Sequence, residues 1–549
     1  MPSLDWIGKK AVVNHHKEVP FHLLHCDRNL SVGNPGSGNL LVQGDNLIAL
    51  KAILPYYAGQ VACIYIDPPY NTGEQTWIYN DRVDSPEIRA WLGKVVGKEA
   101  EDLSRHDKWL CMMYPRLYLL RKFLKEDGAI FVSIDDTEYR YLRCVMDEIF
   151  GTRNFIDTIV WQKKQSPQND AINLSDMHDY IVVYAKRAKS SREDPKGWQR
   201  NLLPRGDKQD KRYKNPDDDP RGDWTSVDYT CNKTADERPN LYYPIVNPVT
   251  KKEIWPSRNT VWRYDRQTHK RNMQENRVWW GRKGTNIPRF KRFKSEVADG
   301  IVPSTWWTRE EAGDNQEARR ELRRIFSQDE QDFPTPKPTR LIKRILQLAT
   351  NENALIMDSF AGSGTTGHAV LDLNKMDGGN RRFILVEMDK DICQNLTAQR
   401  LQRVIKGYVD KRSGEKKKMI EGLGGGFRYC RLGSPLFAEN GDIRDEVKFA
   451  DLAAHVYFSE TGEPLPKRVT GKTPLLGTHN GTGIYLLYNG ILRDREPEGG
   501  NVLTRAALSQ LPKHEGPKII YGAGCRLGQL RLRRKQITFK QIPYQVRVS

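Results

Sequence analysis

The sequence predicts an α/β protein: a mainly parallel, doubly wound sheet that is interrupted once by a region of different texture and then resumes. Three observations carry that expectation. From residue 39 to 185, short apolar runs alternate with stretches of helical spacing, a pattern that favours parallel strands joined by helical crossovers. A second strand–turn–helix–strand–helix series occupies 354–406. Between them, from about Lys186 to Asp332, apolar periodicity weakens and Pro, Gly, Arg, Lys and Trp dominate.

Residues 1–38 are polar and irregular and end in Gly33-Asn34-Pro35-Gly36-Ser37-Gly38, so they are expected to form an arm or a covering strap. Asn39 to Asp45 is a short strand closing on Gly44-Asp45, and Asn46 to Leu54 carries Leu47, Leu50, Ile53 and Leu54 at helical spacing. The run Val61 to Ile66 is apolar throughout and reads as a buried strand. Pro68 and Pro69 stop it, because proline has no N–H for the sheet and its ring fixes φ. The stiff turn Asp67-Pro68-Pro69-Tyr70 therefore presents a carboxylate, a proline carbonyl and an aromatic face beyond a strand's carboxyl end, where open α/β sheets bind ligands. Those groups suit a planar heterocycle bearing an exocyclic amine. On its own, the tetrapeptide fits an ordinary strand-ending turn equally well.

The polar, aromatic-dotted stretch from Asn71 to about Asp107 is expected to be a lid. Trp109 to Leu124 is an amphipathic helix, Gly128 to Asp136 a strand with acids at its end, and Glu138 to Phe150 a helix. Strands follow at Ile156 to Trp161 and Tyr180 to Ala185. After the interruption, Pro334 to Pro338 marks a boundary and Thr339 to Ala349 is helical. Ala354 to Phe360 is a strand running into Ala361-Gly362-Ser363-Gly364-Thr365-Thr366-Gly367, then come a helix, the strand Arg382 to Glu387 and a helix from Asp391 to Lys406. A basic, glycine-rich linker around Lys411 to Gly426 leads to short strands and turns and to the basic run Arg531 to Lys535. The expected domains are 1–38, 39–190, 191–333, 334–410 and 411–549.

At 549 residues the chain is too long for one core. Its net charge of +19 and pI near 9.4 favour a polyanionic partner, nucleic acid first and an anionic membrane surface second. No apolar span is long enough for a transmembrane helix and no signal peptide is apparent, which leaves nucleic acid. The eight cysteines are scattered singly, which argues against a disulfide framework or a cysteine-rich zinc site and suits a reducing cytoplasm. Eight of the thirteen tryptophans lie in the interruption, and within 251–300 there are 14 Lys/Arg against 5 Asp/Glu. Cations for phosphates interleaved with planar groups for bases suit a nucleic-acid surface, although several of these tryptophans must form the region's own core.

The glycines of 362–367 allow a sharp turn and close approach of backbone to a ligand, and Glu387, ending the next strand, can accept both hydroxyls of a ribose. Gly362 to Gly367 matches G-x-G-x-x-G, so a nicotinamide or flavin site has to be weighed. Thr365 and Thr366 at the helix start, and a motif-bearing strand much earlier in the chain, disfavour it.

Together, Asp67-Pro68-Pro69-Tyr70 and Asp358-x-Phe360-x-Gly362-x-Gly364 resemble the catalytic and cofactor motifs of S-adenosylmethionine-dependent amino-methyltransferases of DNA. The order of catalytic motif, recognition region and cofactor motif resembles the β group, typified by modification subunits of type III restriction systems and their solitary relatives. Gln43-Gly44-Asp45, Ser133-Ile134-Asp135-Asp136, Trp161-Gln162-Lys163, Thr335-Pro336-Lys337-Pro338 and Glu387 match as well. The resemblance implies a Rossmann-like methyltransferase sheet with one antiparallel strand near an edge, interrupted by a target-recognition domain and followed by a C-terminal α+β region. It implies catalysis by Asp67, Pro68, Pro69 and Tyr70. S-adenosyl-L-methionine would be held by Asp67, Asp358, Phe360, Ala361, Gly362, Ser363, Gly364 and Thr365, with Glu387 on its ribose, Asp45 near its adenine and Lys337 near its carboxylate; S-adenosyl-L-homocysteine would leave. The D-P-P-Y form points to adenine N6 over cytosine N4. Candidate contacts to double-stranded DNA are Trp161, Lys163, Arg282, Lys283, Arg289, Lys291 and Arg292.

No metal is expected. A homodimer, a restriction subunit as partner, and a bacterial cytoplasm or nucleoid, or a phage origin, follow from the same resemblance. The alternatives are methylation of RNA or protein amides and a DNA-specificity subunit without catalysis.

Overall fold

The computed structural model describes residues 4–72, 93, 105–167, 172–205, 210–297, 300–326, 333–410, 418–466, 471, 473–488 and 501–542. Most of the stretch expected to be a lid, and part of the linker after Lys411, lie outside these residues. The chain divides into two compact units, one formed by Met1–Asn201 with Ser304–Ser549 and the other by Leu202–Pro303.

The larger unit is built on a ten-stranded sheet. Its strands are β1 (His22–Gly33), β2 (Leu40–Gln43), β3 (Val61–Ile66), β4 (Leu124–Ile134), β5 (Phe155–Gln162), β6 (His178–Ala185), β7 (Trp306–Trp307), β8 (Leu355–Asp358), β9 (Arg382–Glu387) and β10 (Gly426–Pro435), in the spatial order β1-β10-β2-β9-β8-β3-β4-β6-β5-β7. From β10 to β4 all neighbours are parallel. Strand β6 runs antiparallel to both β4 and β5, and β7 is parallel to β5. The doubly wound α/β expectation therefore holds, with two antiparallel strands rather than one, because β1 also runs antiparallel to β10 at the far edge.

Helices α1 (Asn46–Tyr57), α2 (Arg105–Phe123) and α3 (Tyr139–Phe150) turn Leu47, Leu50 and Ile53, then Trp109, Leu117 and Leu120, then Leu142 and Val145, into one core with Ile64 and Ile66 of β3 and Ile130 and Val132 of β4. Each fully buried aliphatic side chain there contributes roughly 1.5–3 kcal/mol. Because side chains alternate along a strand, Cys63 and Tyr65 face the other way. Helices α4 (Thr339–Ala349), α5 (Thr365–Asp377) and α6 (Ala398–Lys406) follow the interruption, and α7 (Phe449–Thr461) packs on α1. No described helix is long and apolar enough to cross a membrane.

Three boundaries differ from expectation. Residues 22–33 are no loose arm but the edge strand β1; its mixed burial pattern left no apolar run in the sequence. The C-terminal region does not begin as a separate domain, since β10 enters the central sheet beside β2. The inserted unit is shorter than 191–333, since 304–326 belongs to the sheet-bearing unit through β7. Cys26 and Cys430 sit opposite each other across the β1–β10 pair and form a disulfide, a pairing that register creates and sequence spacing hides. Beyond α7, Leu475–His479, Thr482–Leu486, Lys518–Gly522 and Ile537–Gln541 form a separate four-stranded sheet.

The inserted unit carries a three-stranded antiparallel sheet (Val278–Trp279, Arg289–Phe293, Trp224–Asp228) and the helix Arg266–Gln274 around a core of Tyr229, Tyr243, Ile245, Trp262, Val278 and Trp280. Much of the aromatic excess is therefore core, and of the eight tryptophans only Trp255 and Trp306 are exposed.

Two buried histidines couple stability to pH. His455 lies between Phe21 and Phe437 with neither ring nitrogen hydrogen-bonded, and burial, then Lys51, push its pKa down to about 3. His16, stacked on Tyr118, is pushed down to about 4 by burial and by Lys122, Lys51 and Lys17. Below pH 6.5 the unfolded chain binds protons that the fold refuses, so stability is full above that pH and falls as pH drops toward 4. His455→Phe should flatten this dependence by about 2 kcal/mol between pH 7 and 4.5. Denaturant unfolding at both pH values measures it; parallel curves for the two proteins would refute the assignment.

Candidate active site

Strand β3 ends on Ile66, and the turn that follows is held from behind. The Trp109 indole N–H donates to the Pro69 carbonyl at 2.7 Å, and Asn71, at φ +61°, is fully buried with its amide donating to Glu138 and to the Arg105 carbonyl. Asp67, Pro68, Pro69 and Tyr70 thus line a cleft of about 450 Å³. Its opposite side is the end of β8 and the turn after it: Asp358, Phe360, Ala361, Gly362, Ser363, Thr365 and Thr366. Lys337, Phe333 and Thr335 come from the segment before α4, and Asp135, Lys163, Asp176 and Asp179 from the ends of β4, β5 and β6.

The turn after β8 needs its glycines. Gly362 and Gly364 have φ of +50° and +77°, and a Cβ on Gly364 would sit 3.1 Å from Thr397 Cγ2. Glu387 at the end of β9 accepts the Gly362 N–H at 2.8 Å and the Asp389 N–H at 2.9 Å, while Thr397 donates its hydroxyl to the Gly362 carbonyl at 2.5 Å. Arg400, fully buried, donates to Ser363 Oγ at 3.1 Å and Thr365 Oγ1 at 2.9 Å; burial holds its pKa down to about 10 against Glu321.

The cleft is electrostatically crowded. Lys337 Nζ lies 2.7 Å from both Asp67 oxygens and 4.9 Å from the Tyr70 ring centroid. Lys163 Nζ lies 2.6 Å from Asp176 and 2.7 Å from Asp179. Asp358 accepts from the Thr366 hydroxyl and the Phe360 N–H, yet burial pushes it up to about 7. Asp135 is pushed up to about 6, again by burial.

Most residues singled out from sequence meet here, and some do not. Asp45 caps α1, accepting from Leu47 N and Ile48 N, and pairs with Arg116. Asp45 and Glu387 end the neighbouring segments β2 and β9 and do not line the cleft. Trp161 is no surface contact: it is fully buried and donates to the Gly313 carbonyl. Lys291 is buried between Asp217 and Asp219, because its strand turns it inward. Lys163 faces the cleft rather than open solvent. Arg289 is half-buried against Ser226 and Asp228, whereas Arg282, Lys283 and Arg292 are exposed. Asp176, Asp179 and Arg400 were missed; acids just ahead of an antiparallel strand were the available signal for the first two.

A twisted parallel sheet with an antiparallel hairpin, ending in an acidic proline turn beside a glycine turn, defines a Rossmann-like methyltransferase. The chain belongs to the DNA methylase family of N6/N4 methyltransferases, whose model matches residues 61–399, and it is a DNA methyltransferase. It is 31% identical over 507 residues to the Mod subunit of the type III restriction-modification enzyme StyLTI of Salmonella typhimurium, covering 88% of this chain and 73% of that one. The EcoPI Mod subunit of Escherichia phage P1 is 32% identical over 502 residues, covering 83% and 74%. The type II methyltransferase M.KpnI of Klebsiella pneumoniae is 30% identical over 385 residues, covering 67% and 84%. The solved PvuII DNA methyltransferase (cytosine-N4-specific) aligns over 67% of this chain and 90% of its own at 12% identity, with a TM-score of 0.33, too slight to carry an inference. The motif-based likeness to type III modification subunits is borne out.

Arg400→Met should leave Glu321 without its cation and the Ser363 and Thr365 hydroxyls without their donor, at a loss of about 3 kcal/mol in denaturant unfolding. An unchanged midpoint would show that the glycine turn stands without it.

Proposed function

We propose that this methyltransferase transfers a methyl group from S-adenosyl-L-methionine to the exocyclic N6 of an adenine rotated out of duplex DNA. One observation carries this reading: the Asp67–Tyr70 turn and the Gly362–Thr365 turn face each other across a single cleft.

The residues present fit the cofactor. Asp67 and Asp358 suit a sulfonium, Lys337 suits a carboxylate, and Phe360 with the positive-φ glycines offers a face and close backbone approach. When bound, the cofactor supplies an electrophilic methyl group. Asp45 and Glu387 act indirectly in this reading, Glu387 by shaping the Gly362 turn.

An amine inside a duplex cannot reach the cleft, so the target base must be extruded, at a cost of a few kcal/mol. Stacking on Tyr70 returns ~1–3 kcal/mol. Phosphate contacts supply the remainder, and the exposed Arg282, Lys283 and Arg292 of the inserted unit are the candidates. Asp67 and the Pro68 carbonyl accept hydrogen bonds from N6, drawing its lone pair out of conjugation with the ring. A carboxylate has about four acceptor positions, so Asp67 retains room for the amine beside Lys337. Asp67 therefore orients an amine, whose in-line attack would break the sulfur–methyl bond as the N–C bond forms, the surplus N6 proton then passing to solvent, with positioning as the main assistance.

The likeness to Mod subunits supports a restriction subunit as partner, and we add a second copy of this chain as the expected dimer mate; sedimentation checks the latter. A DNA substrate supports the expectation of a bacterial cytoplasm or nucleoid, or of a phage-encoded enzyme acting there.

Tritiated methyl transfer assayed on DNA, RNA and protein tests the reading, followed by modification-sensitive sequencing of DNA from expressing cells. Label in RNA or protein, or at cytosine N4, would overturn it. Asp67→Ala should abolish methylation while calorimetry still shows cofactor binding; turnover like the wild type's would remove Asp67 from the chemistry. DNA affinity should fall steeply with salt, and joint replacement of Arg282, Lys283 and Arg292 by alanine should make the log–log slope shallower by about 2–3. An unaltered slope would clear those three of phosphate contact.

A further inference from the structure

Base stacking on Tyr70 makes no use of its hydroxyl. Stacking needs only the ring, and a phenylalanine would stack as well. The Tyr70 hydroxyl nevertheless lies against two carboxylates, donating to Asp179 Oδ2 at 3.4 Å and also interacting with Asp67, while the other Asp179 oxygen meets Lys163 Nζ at 2.7 Å. Asp179 is 3% exposed. A carboxylate so placed is costly unless paired and hydrogen-bonded, and Lys163 answers that cost.

Topology explains how the three meet. Strand β6 runs antiparallel to β4 and β5, so its amino end lies level with their carboxyl ends, with Asp179 paired to Trp161 and Tyr180 to Ile134. Lys163 follows directly after β5, and its backbone N–H donates to the Met177 carbonyl at 3.0 Å. The reversed strand therefore delivers an acid to the cleft floor, where a parallel strand would have delivered its other end. Asp176 takes the second donor of Lys163 at 2.6 Å, which fixes the ammonium between two carboxylates.

We propose that Asp179, held by Lys163, is a positioning residue for methyl transfer. It acts through Tyr70, anchoring the hydroxyl end of the ring so that the extruded base stacks at one place with its amine toward Asp67. A ring free to swing about its Cα–Cβ bond would still attract a base but would not set the approach of N6 to the methyl group. Lys163, matched in sequence as a DNA contact, serves here as the cation that pairs with Asp179 and holds it in place, opposing the burial that pushes its pKa up.

This inference rests on Tyr70 being the stacking platform, so the test separates the two. A duplex bearing the mapped site is prepared with 2-aminopurine at the target adenine, whose fluorescence rises on extrusion, and kcat, cofactor KM and fluorescence are measured together. Tyr70→Ala probes the platform: unchanged kcat and fluorescence would defeat that reading. Tyr70→Phe and Asp179→Ala should each lower kcat about five- to tenfold with cofactor KM unchanged. The double variant should lose less than the product of the two single losses, because the Tyr70–Asp179 contact is removed by both. Losses that multiply, or an Asp179→Ala enzyme with wild-type kcat, overturn the proposal while leaving the platform intact. Should Asp179→Ala fail to fold, Asp179→Asn keeps the shape and a weaker, neutral acceptor. Tyr70→Phe must then cost less in that background than in the wild type, and an undiminished cost overturns the proposal.

Discussion

The parallel pairing of β3 with β8, in which Cys63 lies opposite Ile356 and Ile64 opposite Met357, is the contact on which the site depends. Both strands leave the sheet at the same end, so the acidic proline turn after one and the glycine turn after the other open toward each other. A register slip of one residue would turn Ile64 and Ile66 from the helix-covered core to the opposite face and expel them from their packing. Helix packing therefore fixes the register, and the register fixes the distance across the cleft. The chain between these strands can be long and can carry a folded unit of its own, provided it returns to the sheet. It does so through β7, which adds to β5 beside Val160 and Trp161.

The charges around the cleft then follow a simple division. Asp67 and Asp179 face lysines, although burial still pushes the pKa of Asp179 up; Asp358 and Asp135 rely on hydroxyl and backbone N–H donors, and burial moves them up to about 7 and 6. Buried ion pairs of this kind add little net stability compared with apolar packing, because desolvation opposes the attraction. Their value is geometric, since each lysine bridges segments that the sheet alone would leave independent. Lys337 ties the chain ahead of α4 to the β3 turn, and Lys163 ties the end of β5 to the start of β6.

How much of this was legible in the sequence depended on whether a signal was local. The strand at Val61–Ile66, its proline stop, and the glycine turn after β8 were legible because each declares itself within a few residues. Strand β1 was not, since an edge strand with mixed burial lacks an apolar run and is defined by its partner. Trp161 and Lys291 were misread for a related reason. A tryptophan or lysine looks the same in sequence whether it faces water or a neighbour, and here Gly313 in one case and Asp217 with Asp219 in the other take its donors. Asp179 and Arg400 escaped because their partners, Tyr70 and the Ser363–Thr365 turn, are distant in the chain.

The family match spans 61–399, yet the sheet that positions the glycine turn is completed from outside that span. Strand β2 lies beside β9, where Gly44 N–H donates to the Glu387 carbonyl at 2.9 Å, and β10 covers the other side of β2. From β10, the Tyr429 hydroxyl donates to Gln43 Oε1 at 2.7 Å, and the Gln394 amide donates to the same oxygen at 3.1 Å. The end of β9, whose Glu387 shapes the Gly362 turn, is thus braced by residues of both the amino-terminal and carboxyl-terminal segments. Without β10, β2 would be an open edge beside that turn, with unpaired backbone groups next to the site. The outlying segments are therefore part of the catalytic scaffold, since they brace the strand end that carries the carboxylate holding the glycine turn.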